Sequence, residues 1–347
     1  MLALMQKSWN MHLKTGRILT KKQKEKEKQE HIIIQMKHIR NWGCKVKYIL
    51  KFTIQRFWKI IENILTLLGI ILTAGECVLL MFNSNIIYTW MHDYVIWILC
   101  GCIIISFWTN KVQLNYEYFL KGTDVKINLQ VSDVLNVKAA IVIPTNTTFD
   151  TKMEDEFISV SSVQGQFQKK NFANNIGTLD NLIEKGLEGY SYEKVDRIHS
   201  KDKKYPLGTV SKVTYAGKHY YFVAIADINE YGKTVNTKFE NIQIALEGLW
   251  SHLESRGHIE NLAIPLLGTG RAGIKDASRK KVIQEIIFSF VASAKERKIT
   301  ENLQICIHPL DLEHKDLELD KLNEYLHYMC EYRYADNNDK KEGVMIK

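Results

Sequence analysis

The sequence predicts an α/β domain with a largely parallel sheet, preceded by a pair of membrane-spanning helices. Two observations lead to this fold class. Two apolar runs, Ile60–Phe82 and Tyr94–Trp108, lie close together in the first third of the 347 residues. Beyond them, apolar strand-like segments alternate with amphipathic helical segments, which is typical of a parallel sheet that helices cover on both faces. We therefore expect a basic cytoplasmic arm (1–58), a transmembrane hairpin (59–110) and a cytoplasmic domain (111–347).

The hairpin is predicted from the lengths of the two runs. The first has 23 residues and the second 15, and roughly 20 helical residues cross a hydrocarbon core. Backbone groups in lipid must bond within their own segment, which favours helices. The segment from Asn83 to Asp93 is only long enough to turn the chain back, so spans are expected at about 60–82 and 92–110.

The charge distribution predicts that both ends of the chain are cytoplasmic. The first 59 residues carry 15 Lys and Arg against three Glu, a net charge of +12, whereas the whole chain carries +8. Basic flanks stay on the cytoplasmic side, and a hairpin returns the chain to the side that it left. The basic excess therefore indicates attraction to anionic lipid rather than to nucleic acid. Residues 32–58 have the pattern of an amphipathic helix at the membrane surface.

Glu76 is the one ionisable residue well inside a predicted span. Charges in lipid are costly and usually face a bundle interior or water, so Glu76 is a candidate pore-lining residue if several hairpins assemble. The alternative is that its side chain reaches the interface. The six cysteines form no Cys-x-x-Cys pair and no metal-ligand spacing, so neither a metal site nor a disulfide framework is expected.

The cytoplasmic domain shows its elements in a readable order. Alternating residues predict a strand at Val125–Val131, and a continuous apolar run predicts a buried strand at Ala139–Pro144. A turn at Ala216-Gly217-Lys218 predicts a hairpin. The remaining strands are expected at Val210–Tyr215, Tyr220–Ala226, Asn261–Leu267 and Leu303–His308, and helices at Phe167–Phe172, Leu179–Lys185, Asn236–Arg256 and Asp276–Lys298.

The strongest local motif is a glycine-rich loop between a strand and a helix, formed by Gly268, Thr269, Gly270, Arg271, Ala272 and Gly273. Glycines let the backbone approach a pyrophosphate, and amides at a helix N-terminus supply donors. A dinucleotide-binding fingerprint is excluded by context, because the motif lies late in the domain and lacks the acidic residue about 20 positions on. A plain glycine turn is the alternative, but three glycines in six residues favour phosphate binding.

Four segments together resemble the macro domains, and they occur in that family's order. They are Ser132-Asp133-Val134, Ala140–Asn146, Ser161–Gln166 and Leu262–Gly270. The resemblance implies a three-layer α/β/α fold with a mixed sheet that binds ADP-ribose or a derivative. It also implies that Asp133 accepts a hydrogen bond from the adenine amino group, that the two loops hold the diphosphate, and that Asn146 lies near the distal ribose. The implied ligand-binding residues are Asp133, Val134, Asn146, Ser161, Ser162, Val163, Gly165, Gln166, Leu267, Gly268, Thr269, Gly270, Arg271, Ala272 and Gly273.

The departures from the family pattern argue against catalysis. Hydrolytic macro domains use two asparagines and a loop aspartate, but Ile143 and Gln164 occupy two of these positions here, and Gln is not a general base. Ala272 replaces the tyrosine that commonly stacks on the distal ribose. We therefore expect a binding protein without catalytic residues and without a cofactor. The alternatives are a membrane-anchored ADP-ribosyl hydrolase or nucleotide-processing enzyme, and a passive anchor for ADP-ribosylated proteins.

The whole architecture, a macro domain joined to a two-span hairpin, resembles the membrane effectors of Thoeris antiphage systems. This resemblance implies a homo-oligomer in the bacterial inner membrane that senses a nucleotide made by a TIR-domain partner, a histidine conjugate of ADP-ribose in type II systems. Ligand binding would then drive disruption of the membrane and abortive infection.

Overall fold

The computed structural model describes residues 28, 32, 35–37, 39–82, 85–153, 158–196, 201–229, 234–235, 237–268, 274, 276–314 and 317–331. The chain divides into two compact units, Met1–Val112 and Gln113–Lys347.

The described residues of the first unit are mostly helical. Residues 39–55 form α1, and two longer helices follow, α2 (Phe57–Phe82) and α3 (Asn85–Thr109), which pack against each other. By length and composition, Phe57–Met81 is apolar enough to cross a membrane, whereas the apolar part of α3, Asp93–Thr109, is shorter. The expectation of a turn from Asn83 to Asp93 is wrong for residues 85–93, which are helical. Helix hydrogen bonding does not require an unbroken apolar run, so α3 continues through His92 and Asp93 to the mixed residues that precede them.

Arg56 lies at the junction of α1 and α2. Its guanidinium donates hydrogen bonds to the carbonyl oxygens of Asn110 (3.0 Å) and Lys111 (3.2 Å), directly after the end of α3. A cation at the C-terminus of a helix also interacts favourably with the helix dipole. Arg56 therefore fastens the start of α2 to the end of α3.

The described residues of the second unit form ten strands. They are β1 (Asn115–Phe119), β2 (Lys126–Val131), β3 (Ala140–Asn146), β4 (Glu193–Lys194), β5 (Lys203–Lys204), β6 (Val210–Tyr215), β7 (Lys218–Ile228), β8 (Thr234–Val235), β9 (Leu262–Pro265) and β10 (Asn302–Ile307). The main sheet has the order β1-β2-β10-β9-β3-β7-β6, with β8 paired to β7, and β4 and β5 form a separate pair.

The main sheet is mixed. Its five central strands, β2, β10, β9, β3 and β7, are parallel to one another, whereas β1 and β6 pair antiparallel at the edges. The β6–β7 turn has Ala216 and Gly217 at φ values of +49° and +72°, which is the left-handed geometry that short hairpins favour. The predictions of a largely parallel sheet and of this hairpin are confirmed.

In the described part of this unit, the sheet is covered by the helices α4 (Val163–Asn171), α5 (Ile176–Gly186), α6 (Phe239–Arg256), α7 (Arg279–Glu296) and α8 (Leu319–Glu331). Neighbouring residues of β7 show the two faces, because successive side chains of a strand point in opposite directions. Phe222 contacts Phe167 of α4, whereas Tyr221 contacts His252 of α6. Helix α5 shares the core with α4, α7 packs beside α6, and α8 packs against α7 and β1.

Helices α6 and α7 begin later than the sequence predicts, because N-terminal caps determine where each helix begins. Helix α6 begins at Phe239 rather than at Asn236, since Lys238 is extended and the Asp276 carboxylate accepts the hydrogen bond of the Phe239 amide. Helix α7 begins at Arg279 rather than at Asp276, because the Ser278 hydroxyl caps the amide of Lys281. Side-chain oxygens at the N-cap satisfy amides that have no partner within the helix. Strand β1 and helix α8 were not expected from the sequence.

The burial of His252 on α6 predicts acid sensitivity. The side chain is 6% exposed, and burial, together with the charges of Arg256 and Lys212, lowers its pKa from 6.5 to about 4. The unfolded chain therefore takes up a proton at a higher pH than the folded chain does. The stability that neutral His252 contributes is complete above pH 6.5 and is lost as the pH falls toward 4, by about 3 kcal/mol.

Urea denaturation at pH 7 and pH 4 measures this loss. We expect the free energy of unfolding to fall by about 3 kcal/mol more in the wild type than in His252→Gln, because Gln does not titrate. Equal losses in the two proteins would contradict the assignment to His252.

Candidate nucleotide site

The topology places a crevice between β3 and β9. Strand β3 leads through α4 and α5 toward β6 and β7 on one side, whereas β9 leads through α7 to β10 on the other side. Adjacent parallel strands whose connections leave in opposite directions open a crevice at their carboxyl ends, where ligands of α/β sheets bind. The two loops expected to hold a diphosphate follow these two strands.

The neck of the glycine-rich loop is closed by its own backbone. Gly268 has a φ of +70°, and the amide of Ile274 donates to the Gly268 carbonyl oxygen at 3.2 Å. A Cβ atom on Gly268 would lie 2.3 Å from the Ile274 Cδ1 atom. Leu267 is fully buried and anchors the strand side of the loop. The other predicted members, Thr269, Gly270, Arg271, Ala272 and Gly273, lie outside the described residues.

The first loop forms the capped N-terminus of α4. The Ser162 hydroxyl accepts the amide hydrogen bond of Gly165 at 3.0 Å and donates to the Ser159 carbonyl oxygen at 2.7 Å. Gly165 packs directly on the backbone of Ser159 and Val160. The first-turn amides of Val163 and Gln164 have no acceptor within a helix, so the helix start offers donors and a positive dipole end.

Two further predicted residues of the first loop take part in its internal bonding. The Gln166 side-chain amide donates to the Ser161 carbonyl oxygen at 2.9 Å, and the hydroxyls of Ser161 and Ser159 lie 2.9 Å apart. These bonds hold the turn that precedes α4 in place. They also show that the side chains of Ser161 and Gln166 serve the shape of this loop.

Asp133 and Val134 lie at the carboxyl end of β2. The Asp133 carboxylate accepts the amide of Leu135 at 3.1 Å and caps a short 3₁₀ turn, while Val134 is 5% exposed. The neighbouring Ser132 amide donates to the Ile307 carbonyl oxygen at the end of β10. Asp133 therefore stands two strands away from the crevice, across β10 and β9.

Asn146 ends β3 and is held by a residue that the sequence did not single out, Asp150. The Asn146 amide oxygen accepts the Asp150 backbone amide at 3.1 Å, and its amide nitrogen donates to the Asp150 carboxylate at 3.3 Å. Asp150 is 2% exposed. No local pattern marks it, because its partners come from three separate segments.

A strap formed by residues 201–205 covers the segment that follows β3. The Tyr205 amide donates to the Thr147 carbonyl oxygen at 2.8 Å. Asp227 at the end of β7 joins the two, because it accepts the Thr147 hydroxyl at 3.0 Å and pairs with Lys204 at 2.6 Å. Burial acts to raise the pKa of Asp227, but the bonds from Lys204 and Thr147 outweigh it and leave the pKa below its usual value.

The two departures from the hydrolytic pattern are buried. Ile143 is fully buried in the core, and Gln164 is 2% exposed, with its side-chain amide donating to the Asp150 carbonyl oxygen at 2.7 Å. Both side chains are therefore enclosed by other groups of the protein. Among the residues that the structure describes, no three His, Cys, Asp or Glu side chains are placed to hold a metal ion.

Two predicted features lie away from the crevice. Glu76 is exposed on α2 in the first unit, and its role in lining a pore stays a prediction. An open depression of about 460 Å³ lies at the opposite, amino edge of the sheet, where Ala140 and Lys218 start their strands and Asn261 directly precedes β9. It contains none of the predicted ligand-binding residues.

The mixed sheet, with helices on both faces and a crevice at its switch point, defines an α/β protein of the macro-domain type. Residues 127–308 match the family described as "Thoeris protein ThsA, Macro domain". The chain belongs to this family, and the resemblance to macro domains is thereby confirmed.

Individual proteins are similar over comparable lengths. Thoeris protein ThsA of Bacillus amyloliquefaciens (strain Y2) is 25% identical over 223 residues, which cover 62% of this chain and 71% of that protein. The Oceanobacillus iheyensis macrodomain with MES bound aligns with a TM-score of 0.42 at 12% identity, over 62% of this chain and 97% of that one. The same macrodomain with ADP aligns with a TM-score of 0.42 at 11% identity, over 60% and 97%.

Proposed function

We propose that the second unit binds an ADP-ribose-type nucleotide and acts as the sensor of a Thoeris defence effector. One observation carries this proposal: the capped N-terminus of α4 and the closed neck at Gly268 follow β3 and β9, the two strands that flank the switch point. Backbone amides at the start of α4, together with the predicted glycine-rich loop after β9, suit a diphosphate. Asp133 is proposed as the acceptor for the adenine amino group.

The site is proposed to recognise its ligand without hydrolysing it. Ile143 offers no polar atom, and the Gln164 amide is bonded to the Asp150 carbonyl oxygen. Neither side chain can take a proton from water as a general base does. The ligand is therefore a signal and not a substrate, and no cofactor is needed.

The first unit is proposed to be the membrane part of the effector. In this proposal α2 and α3 form a hairpin in the bacterial inner membrane, with both termini cytoplasmic and the basic residues near anionic lipid. The signal is a histidine conjugate of ADP-ribose from a TIR-domain partner. Its binding stabilises a homo-oligomer that disrupts the membrane and causes abortive infection, which requires tighter binding to the assembled state.

The test uses the full chain in vesicles of phosphatidylethanolamine and phosphatidylglycerol that contain a fluorescent dye. We expect ADP-ribose or its histidine conjugate to bind in calorimetry without turnover, and the preferred nucleotide to release the dye. Turnover of an ADP-ribose ester would instead support the hydrolase alternative. Binding without release of the dye would support the sensor function and contradict the proposed membrane role.

Asp133→Asn tests the adenine contact. Asn keeps an oxygen that can cap the Leu135 amide, so the 3₁₀ turn is retained, but it replaces the second carboxylate oxygen by a donor. We expect the dissociation constant for ADP-ribose to rise roughly tenfold or more, as for a lost hydrogen bond to a charged group. Ribose 5-phosphate, which lacks adenine, is the matched ligand and should bind both proteins equally. An unchanged affinity for ADP-ribose would rule out this role of Asp133.

A further inference from the structure

The hydrogen bonds of Asn146 fix which of its atoms can meet a ligand. A backbone amide is always a donor, so the Asp150 amide at 3.1 Å identifies its partner on Asn146 as the oxygen. The Thr148 hydroxyl lies 3.1 Å from the same oxygen. The Asn146 nitrogen then faces the Asp150 carboxylate at 3.3 Å. This uses one of its two hydrogens and leaves the amide a second one to donate.

Asp150 is itself held from three directions. Its carboxylate accepts the Thr148 hydroxyl at 2.5 Å and the backbone amide of Lys201 in the strap at 3.2 Å. Its carbonyl oxygen accepts the side-chain amide of Gln164, in the first turn of α4, at 2.7 Å. Asp150 therefore connects the end of β3, the strap and the phosphate-binding end of α4.

We propose that Asp150 is a positioning residue that makes Asn146 a pure hydrogen-bond donor toward the distal ribose of the ligand. The carboxylate fixes the orientation of the Asn146 amide, so that position 146 selects a ligand with a hydroxyl oxygen at this point. ADP-ribose offers that oxygen, whereas ADP ends at the second phosphate. This inference rests on the proposed function and adds the reason why the nucleotide must extend beyond the diphosphate.

The experiment compares affinities for ADP-ribose and for ADP in the full chain, by calorimetry, for the wild type and Asp150→Asn. The variant removes one acceptor from the network while keeping the size of the side chain. We expect affinity for ADP-ribose to fall about tenfold and affinity for ADP to stay within about twofold. The control is Asp124→Asn. Asp124 precedes β2 at the amino edge of the sheet and pairs with the Lys298 ammonium at 2.6 Å. Because this pair lies outside both the crevice and the strap, the ratio should not change.

A double variant separates folding from recognition. Asn146→Asp combined with Asp150→Asn exchanges the two groups, so one amide again faces one carboxylate. Thermal stability should return toward that of the wild type. The preference for ADP-ribose should not return, because the side chain at position 146 then has no N–H group to donate. Recovery of the preference in this variant would overturn the proposal.

The experiment distinguishes failure of the Asp150 proposal from failure of the proposed nucleotide-binding function. If the wild type binds neither nucleotide, the proposed function fails. If it binds both nucleotides equally, or if Asp150→Asn weakens both by the same factor, the nucleotide site stands and the positioning role of Asp150 is overturned.

Discussion

Gly165→Ala is expected to weaken ADP-ribose binding by a factor of about a hundred or more. A Cβ atom at this position would lie 2.2 Å from the Ser159 carbonyl oxygen and 2.9 Å from the Val160 Cα atom, both backbone atoms that cannot rotate away. The N-terminus of α4 must therefore move off the preceding loop. Two amide hydrogen bonds to a charged phosphate, each worth roughly 1.5–3 kcal/mol, are then lost.

Gly177→Ala is the matched control for this variant. Gly177 also lies in the first turn of a helix, α5, but a Cβ atom there would have no neighbour within 4 Å. We expect unchanged affinity and a gain in stability of about 0.5–1 kcal/mol, because Ala restricts the unfolded chain more than Gly does. Calorimetry well below the melting temperatures measures both affinities. If Gly165→Ala binds as the wild type does, the α4 N-terminus is not the phosphate site.

Phe167→Ala is expected to lower the free energy of unfolding of the second unit by about 3–5 kcal/mol, as for other large buried aromatic side chains. Phe167 is fully buried, and its ring centroid lies 4.5 Å from that of Tyr220 and 5.7 Å from that of Phe222. It packs α4 against β7. Its removal leaves a cavity and loses these ring contacts as well.

Phe288→Ala serves as its control in urea denaturation followed by circular dichroism. Phe288 lies on α7 and is 45% exposed, so its truncation should cost less than about 1 kcal/mol. Similar losses for the two variants would show that Phe167 does not anchor α4. Because the start of α4 belongs to the proposed site, we also expect Phe167→Ala to bind ADP-ribose more weakly even where it remains folded.

The central strands could be predicted because their signal is local. Ala140–Asn146 and Leu262–Pro265 are buried on both faces, and a continuous apolar run reports this directly. The elements at the edges of the fold were harder to predict from the sequence. Strand β1 shows mixed burial, and helix α8 depends on packing against α7 and β1, so neither carries a strong pattern of its own.

The residues of the candidate site also fall into those with a local signal in the sequence and those without one. Glycine spacing is a local feature, and it indicated a loop between the strand Leu262–Pro265 and the helix Arg279–Glu296. The first loop was indicated only by its resemblance to the macro domains. Asp150 was missed because its importance comes from partners that are distant in the chain. Lys201 is 51 residues away, and Gln164 is 14 residues away. Only folding brings these groups together, so no spacing rule identifies them.

The wall of the crevice after β3 is ordered before any ligand arrives. Thr147, Asp150 and Thr151 are bonded to the strap, to β7 and to α5 through buried or half-buried groups. The conformational entropy of this wall is therefore lost during folding and not during binding. A ligand that fits it gains affinity without an ordering cost on that side, and a ligand of another shape finds a surface that resists adjustment. In the proposed sensor, discrimination between related nucleotides would thus follow from rigidity as much as from the identity of the contacting atoms.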